Sequence, residues 1–197
     1  MSGHVDVLRR NLQASVDAKL QFLEMTAQHA AFDAAMRVVI ESYRRGGRLY
    51  VAGNGGSAAD AQHLAAEFVS KLWRDRRPLP AEALTVDSSV LTAIGNDYGF
   101  DELFARQIRG KMTSIDVFLA ISTSGRSRNL LRGLDTCREL GIASIAFLGR
   151  DGGEMRERAD HCIIVPGDLS SVIQEVHLVM AHSLCECVEN SLFPEFF

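Results

Sequence analysis

His63 and Glu67 stand four residues apart in the run Ser57-Ala-Ala-Asp60-Ala-Gln62-His63-Leu-Ala-Ala-Glu67. On a helix that spacing puts both side chains on one face, within reach of one metal ion or one substrate. An imidazole beside a carboxylate can move protons at neutral pH or ligate a cation. An ordinary surface ion pair has the same spacing, and for a lone His/Glu pair that is the preferred reading. The small residues Ala58, Ala59, Ala61, Ala65 and Ala66 leave room for close packing around it. A second polar set interrupts the apolar run SVIQEVHLVMAHSLCECV, where Gln174, Glu175, His177 and His182 occur. Polar groups in an apolar helix need partners. Gln174 and His182 are about 12 Å of rise and about 80° of rotation apart, so only extended side chains would meet midway. His177 lies about 140° from His182, and the two should not share one site in one chain. Spacing leaves open which histidine is used.

Two turns have the composition of ligand cradles. Gly53-Asn54-Gly55-Gly56-Ser57 follows the apolar run LYVA and leads into a helical stretch. Glycines let backbone N–H groups approach a ligand, and a helix N-terminus favours an anion. Ser57 suits either a cap or a ligand oxygen. The GK[ST] ending of a nucleotide P-loop is missing. The second turn, Ser122-Thr123-Ser124-Gly125-Arg126-Ser127, holds four hydroxyls in six residues. One serine would suffice for a helix cap, so the excess points to a phosphate. Arg126 adds positive charge, and Arg128 is nearby. Together the turns suggest a phosphorylated ligand with further hydroxyls. A third polar stretch contains Asn96 and Asp97, which suit sugar hydroxyls but as turn formers need no such role, so spacing alone favours a plain turn.

These residues need a scaffold that brings strand ends together. Residues 4–45 read as two helices. The first carries an apolar stripe of Val5, Leu8, Leu12, Val16, Leu20 and Leu23. From Arg48 onward, short apolar runs alternate with helical stretches: LYVAG, EALTV, DVFLAIS, ASIAFLG and CIIVP. Runs apolar at every position are how strands buried on both faces read. Helical stretches fall at about 57–72, 88–96 with 101–109, 127–140, 153–159 and 169–191. The alternation predicts an α/β three-layer sandwich with a five-stranded parallel sheet and right-handed crossovers. We expect one domain over 1–197, with an N-terminal helical extension over about 1–45. In such sheets ligands bind beyond the carboxyl ends of the strands, where both cradle turns fall.

Composition narrows the class. The 197 residues carry 21 basic and 25 acidic side chains, a net charge of −4. That argues against nucleic-acid binding, which needs clustered excess Lys and Arg. No apolar stretch reaches the length of a membrane span, and the N-terminus lacks the blocks of a signal peptide. Cys137, Cys162, Cys185 and Cys187 form no CxxC pair, so a disulfide framework or thiolate zinc site is not expected. The expectation is a reduced, cytoplasmic protein.

The motifs GNGGSAADAQHLAAEF, LTAIGNDYGFDELFARQ, ISTSGRSRN and IQEVHLVMAH together closely resemble the bacterial phosphoheptose isomerase family. The resemblance spans nearly the whole chain. The long first motif and the final Gln-to-His spacing are its specific parts, whereas STSG alone indicates only the wider sugar isomerase (SIS) fold. It implies interconversion of sedoheptulose 7-phosphate and D-glycero-D-manno-heptose 7-phosphate, the entry to nucleotide-activated heptoses for surface polysaccharides. The ADP and GDP routes are not distinguished. It implies a homotetramer with active sites between subunits, and zinc as cofactor. Carried over by position, the metal ligands are His63, Glu67, Gln174 and His182, which decides against His177. The phosphate-binding hydroxyls are Ser122, Ser124 and Ser127, with Thr123 close by. Asn54, Gly55, Gly56 and Ser57 form the sugar- and phosphate-contacting turn, and Asp97 and Gln174 contact substrate. Two positions depart from the common pattern: Ser171, where some members have a substrate-contacting Asp, and Arg126, where many have Asn.

The resemblance also implies a proton shift between C1 and C2 through an enediol. Glu67 is the candidate for the proton on carbon and His182 its acid–base partner. Zinc polarises the carbonyl. Two other readings remain: a non-catalytic SIS-domain regulator of replication initiation, and an isomerase of another sugar phosphate. Retention of all four ligand positions favours the enzyme, while Ser171 leaves the sugar open.

Overall fold

The computed structural model describes residues 3–196, and within them five parallel strands form one sheet in the order β2-β1-β3-β4-β5. The strands are β1 (Leu49–Gly53), β2 (Ala81–Ala83), β3 (Val117–Ser122), β4 (Ala143–Gly149) and β5 (His161–Val165). All of β1 and β3 is buried, as their unbroken apolar runs predict. Their side chains alternate between two cores. Leu49, Val51, Val117, Leu119 and Ile121 face one layer, while Tyr50, Ala52, Phe118 and Ala120 face the other.

The first layer holds α2 (Thr26–Arg44), α3 (Gly56–Val69) and α7 (Ser170–Leu192), which pack on the odd-facing residues. The second holds α4 (Ser88–Asp97), α5 (Leu103–Lys111) and α6 (Arg128–Leu140). Helix α1 (Gly3–Leu23) lies outside the first layer, against α7.

Two local expectations change. β2 covers Ala81–Ala83 rather than the whole run to Val86, because it is an edge strand paired only with β1 over three residues. Residues Gly153–Glu157 form a 3-10 turn instead of an α-helix, entered through two left-handed glycines. Helix α1 packs on α7 through small residues. Ser15 and Ala18 are buried, whereas Val5, Leu8, Leu12, Val16, Leu20 and Leu23 are all exposed. Small side chains let α1 approach α7, and its large apolar stripe points outward.

The strand order places a switch point between β1 and β3, since the chain leaves β1 toward β2 and leaves β3 toward β4. Crevices at such points are where sheets of this order take ligands. The two cradle turns are the segments that follow β1 and β3.

Candidate active site

The turn after β1 depends on Gly55. It caps α3 at φ 56° and ψ −122°, a conformation that a side chain would oppose. Ser57 is not the cap: it lies inside the first turn of α3 and is buried. The start of α3 presses on β1 so closely that a Cβ on Gly53 would lie 2.4 Å from the Ser57 carbonyl oxygen. Gly56 is equally crowded, because a Cβ there would lie 2.3 Å from Gln174 Nε2. Gln174 therefore lays its amide on the N-terminal turn of α3.

In the turn after β3, Gly125 N donates to Ser122 Oγ at 3.1 Å, and Arg126 N donates to Ser124 Oγ at 3.3 Å. Thr123 Oγ1 lies 3.2 Å from Ser170 Oγ, at the start of α7. Ser127 occupies the cap position of α6 but makes no capping bond with its side chain. That hydroxyl remains available at a helix N-terminus, where an anion is favoured. Arg126 departs from expectation. Its guanidinium pairs with Asp151 at 2.5 Å and donates to the Ser124 carbonyl at 3.0 Å. The Arg126 bond in turn lowers the Asp151 pKa. Arg128 likewise pairs with Asp101 at 2.9 Å. Both charges near the hydroxyl turn are thus compensated within the chain.

The two turns are bridged by an amide pair that sequence reasoning missed. Asn54 Nδ2 donates to Asn129 Oδ1 at 2.9 Å, and Asn129 Nδ2 donates to Asn54 Oδ1 at 2.8 Å. Asn129 is buried and also accepts from Leu130 N at 2.9 Å. Its only sequence signal was an asparagine in the first turn of a helix behind the hydroxyls, where a polar side chain with two functions can face the neighbouring strand end.

The ionisable residues converge on the first layer. His63 Nε2 lies 3.1 Å from Glu67 Oε1, as helical spacing required. His182 Nε2, from α7, lies 3.2 Å from His63 Nε2. The ligand atoms of these three residues lie within 4.8 Å of one another. Zinc bonds of about 2.0–2.1 Å in a tetrahedron put neighbouring donors about 3.3 Å apart, so both short separations fit. Two imidazole nitrogens facing each other also need a proton or a cation between them, since two lone pairs repel. The donor set therefore suits a metal. Gln174 lies two helical turns before His182, and its amide meets Gly56.

Other polar residues divide between site and core. Asp60, one turn before His63, has a buried Oδ2 with no hydrogen-bond partner, and burial raises its pKa. His177 belongs to the core: it is fully buried, bonds the Leu148 carbonyl at 3.0 Å and packs on Phe147. Burial pushes its pKa down to about 4. Asp97 is exposed at the end of α4 and accepts from Asn96 Nδ2 at 2.8 Å. Ser171 is exposed in the first turn of α7.

Comparison with known proteins gives concordant results. Residues 13–149 match the SIS domain family. Phosphoheptose isomerase of Aneurinibacillus thermoaerophilus is 43% identical over 192 residues, covering 98% of this chain and 97% of that protein. Phosphoheptose isomerase 2 of Campylobacter jejuni is 50% identical over 159 residues, covering 81% of this chain and 79% of that protein. The solved structure of a phosphoheptose isomerase from Francisella tularensis has a TM-score of 0.91 at 32% identity, covering 96% of this chain and 100% of that one.

Proposed function

The chain belongs to the SIS-domain family and, within it, to the phosphoheptose isomerases, and on that footing we propose that it converts sedoheptulose 7-phosphate to D-glycero-D-manno-heptose 7-phosphate. The class of enzyme is an isomerase of phosphorylated sugars. Such a reaction takes a proton from one carbon, returns it to the next, and shuttles protons on two oxygens.

The observation that carries this reading is the convergence of His63 and Glu67 of α3 with His182 of α7, His63 and His182 being 119 positions apart in the chain. In our reading Glu67 takes the proton from carbon, and His182 exchanges the proton on the adjacent oxygen. Zinc, held by His63, Glu67, Gln174 and His182, supplies a Lewis acid toward the sugar oxygens when bound. The two roles compete at Glu67, because a carboxylate shared with a cation is the weaker base. The hydroxyls of Ser122, Thr123, Ser124 and Ser127 hold the phosphate. Asn54, Gly55, Gly56, Ser57, Asp97 and Gln174 orient the sugar chain. The compensated charges of Arg126 and Arg128 support a phosphate site built from hydroxyl and backbone donors rather than from free cations.

We further read the protein as one SIS domain with an N-terminal helical extension, working in the cytoplasm as a homotetramer with sites between subunits. It would open the route to nucleotide-activated heptoses. The outward stripe of α1, six large apolar residues on one helix, supports burial against another copy. Among the described residues no helix is long and apolar enough to cross a membrane.

The test is turnover of sedoheptulose 7-phosphate with zinc supplied, followed by NMR of the aldose product. A much higher kcat/KM on another ketose phosphate would overturn the substrate. Absence of turnover on this one would do the same.

A further inference from the structure

Arg76 lies outside the polar runs and turns that carry the chemistry, yet its side chain is wholly buried. A guanidinium keeps its charge, so a buried one needs a full set of acceptors. Three of its acceptors are carbonyls at the C-terminal end of α3 and at its cap residue, Ser70. Arg76 Nη2 donates to Glu67 O at 3.0 Å, and Nη1 donates to Phe68 O at 2.7 Å and Ser70 O at 3.3 Å. Nη1 also reaches Arg77 O at 3.2 Å. Terminal helix carbonyls lack partners inside the helix and form the negative end of its dipole, which a cation stabilises.

The other side of the guanidinium meets α7. Nε donates to Glu189 Oε1 at 2.9 Å, and that oxygen also accepts from Leu72 N at 3.3 Å. Glu189 is as buried as Arg76. Its Oε2 has no partner, so the pair is not arranged for maximal stability. Glu189 falls seven residues after His182, two turns along nearly the same helix face. One buried ion pair thus joins the backbone of Glu67 to the helix that carries His182.

We infer that Arg76 is a positioning residue, which with Glu189 locks the C-terminal end of α3 against α7 and so sets Glu67 and His63 relative to His182. The inference rests on the proposed role of those three side chains. An apolar pair would hold two helices together, but apolar contacts are non-directional and leave their axial offset free. A planar fork bonded to two carbonyls of one helix, the carbonyl of its cap residue and a carboxylate of the other helix fixes that offset.

The test compares Arg76→Lys, the double variant Arg76→Met with Glu189→Leu, and Ile108→Ala. The double variant leaves no buried charge unpaired, so its fold is expected to persist. Ile108 is buried in the other layer and serves as a control for stability alone. For each protein one measures the thermal midpoint, zinc affinity against a chromophoric chelator, the visible spectrum of the cobalt form, and kcat and KM on sedoheptulose 7-phosphate. Both Arg76 variants are expected to bind zinc about tenfold more weakly, alter the cobalt spectrum, and lose kcat more than KM. Ile108→Ala is expected to melt earlier with unchanged affinity and spectrum. Wild-type affinity, spectrum and kcat in the Arg76 variants would overturn the inference. Failure of both to fold would also overturn it, because the pair would then serve the fold rather than the site. A wild-type protein that binds neither metal would overturn the underlying reading instead, leaving the kcat and KM of the folded variants to decide Arg76.

Discussion

Asn54 and Asn129, 75 residues apart, hydrogen-bond each other twice through their side-chain amides and so tie the turn after β1 to the turn after β3. The two turns sit on either side of the sheet's switch point, where the chain itself provides no connection. A reciprocal amide pair satisfies a donor and an acceptor on each side chain and spans the crevice between them.

Asn129→Ala is expected to destabilise the fold by about 2 kcal/mol, since the Leu130 N–H and the Asn54 amide lose a buried partner. If the pair sets the crevice, KM for the phosphorylated sugar rises severalfold while kcat falls less. Urea titration and steady-state kinetics measure the two effects. An unchanged KM in a destabilised protein would make the pair a matter of stability only.

Gly56→Ala tests Gln174. The new methyl would lie 2.3 Å from Gln174 Nε2, and the end of a flexible side chain yields more readily than backbone. Stability should therefore stay within about 1 kcal/mol of wild type. Displacement of the Gln174 amide, a proposed metal and substrate contact, is expected to lower kcat/KM by about tenfold or more. Thermal melting alongside kinetics separates the outcomes, and full activity would remove Gln174 from the site.

Glu67→Gln keeps the size of the side chain and removes the base. Turnover is expected to fall at least about 100-fold, the usual contribution of a positioned general base. Zinc content, measured on the same preparation, decides the interpretation. Near-normal turnover with metal retained would end the assignment of Glu67 to proton transfer. In the wild type, chelation should abolish activity and zinc should restore it. Indifference to both would take the metal out of the mechanism.

His177 predicts a pH effect on stability. Burial lowers its pKa to about 4 in the folded chain, against an ordinary value of 6.5. The unfolded state therefore takes up a proton first as pH falls, and the stabilising contribution, complete above pH 6.5, is lost on acidification toward pH 4. The span corresponds to roughly 3 kcal/mol. His177→Gln retains a donor for the Leu148 carbonyl but does not titrate. Its denaturation midpoint should fall less than that of wild type between pH 7.5 and pH 4.5. Parallel curves would assign the acid sensitivity to other groups.

The parallel sheet was legible because β1, β3 and β4 are apolar at nearly every position, and little else in a chain of this kind reads so. The pairing of His63 with Glu67 was legible because helical geometry alone sets a spacing of four. Within α7, the choice between His177 and His182 was not open to periodicity, since both lie in one apolar run. Packing decides it: His177 faces Phe147 and the core, while His182 faces α3. For α1 the pattern pointed to an apolar face but not to its destination. The small residues Ser15 and Ala18 meet α7, and the larger stripe faces outward.

By itself the sequence determined the elements, the two cradle turns and the residue types able to hold a phosphate or a cation, because these follow from local periodicity and side-chain chemistry. Only the tertiary structure decided which of those groups meet. His63 and His182, Asn54 and Asn129, and Arg76 and Glu189 are joined across long stretches of chain. Those contacts depend on the offset at which packed elements come to rest, and no spacing along one element encodes that offset.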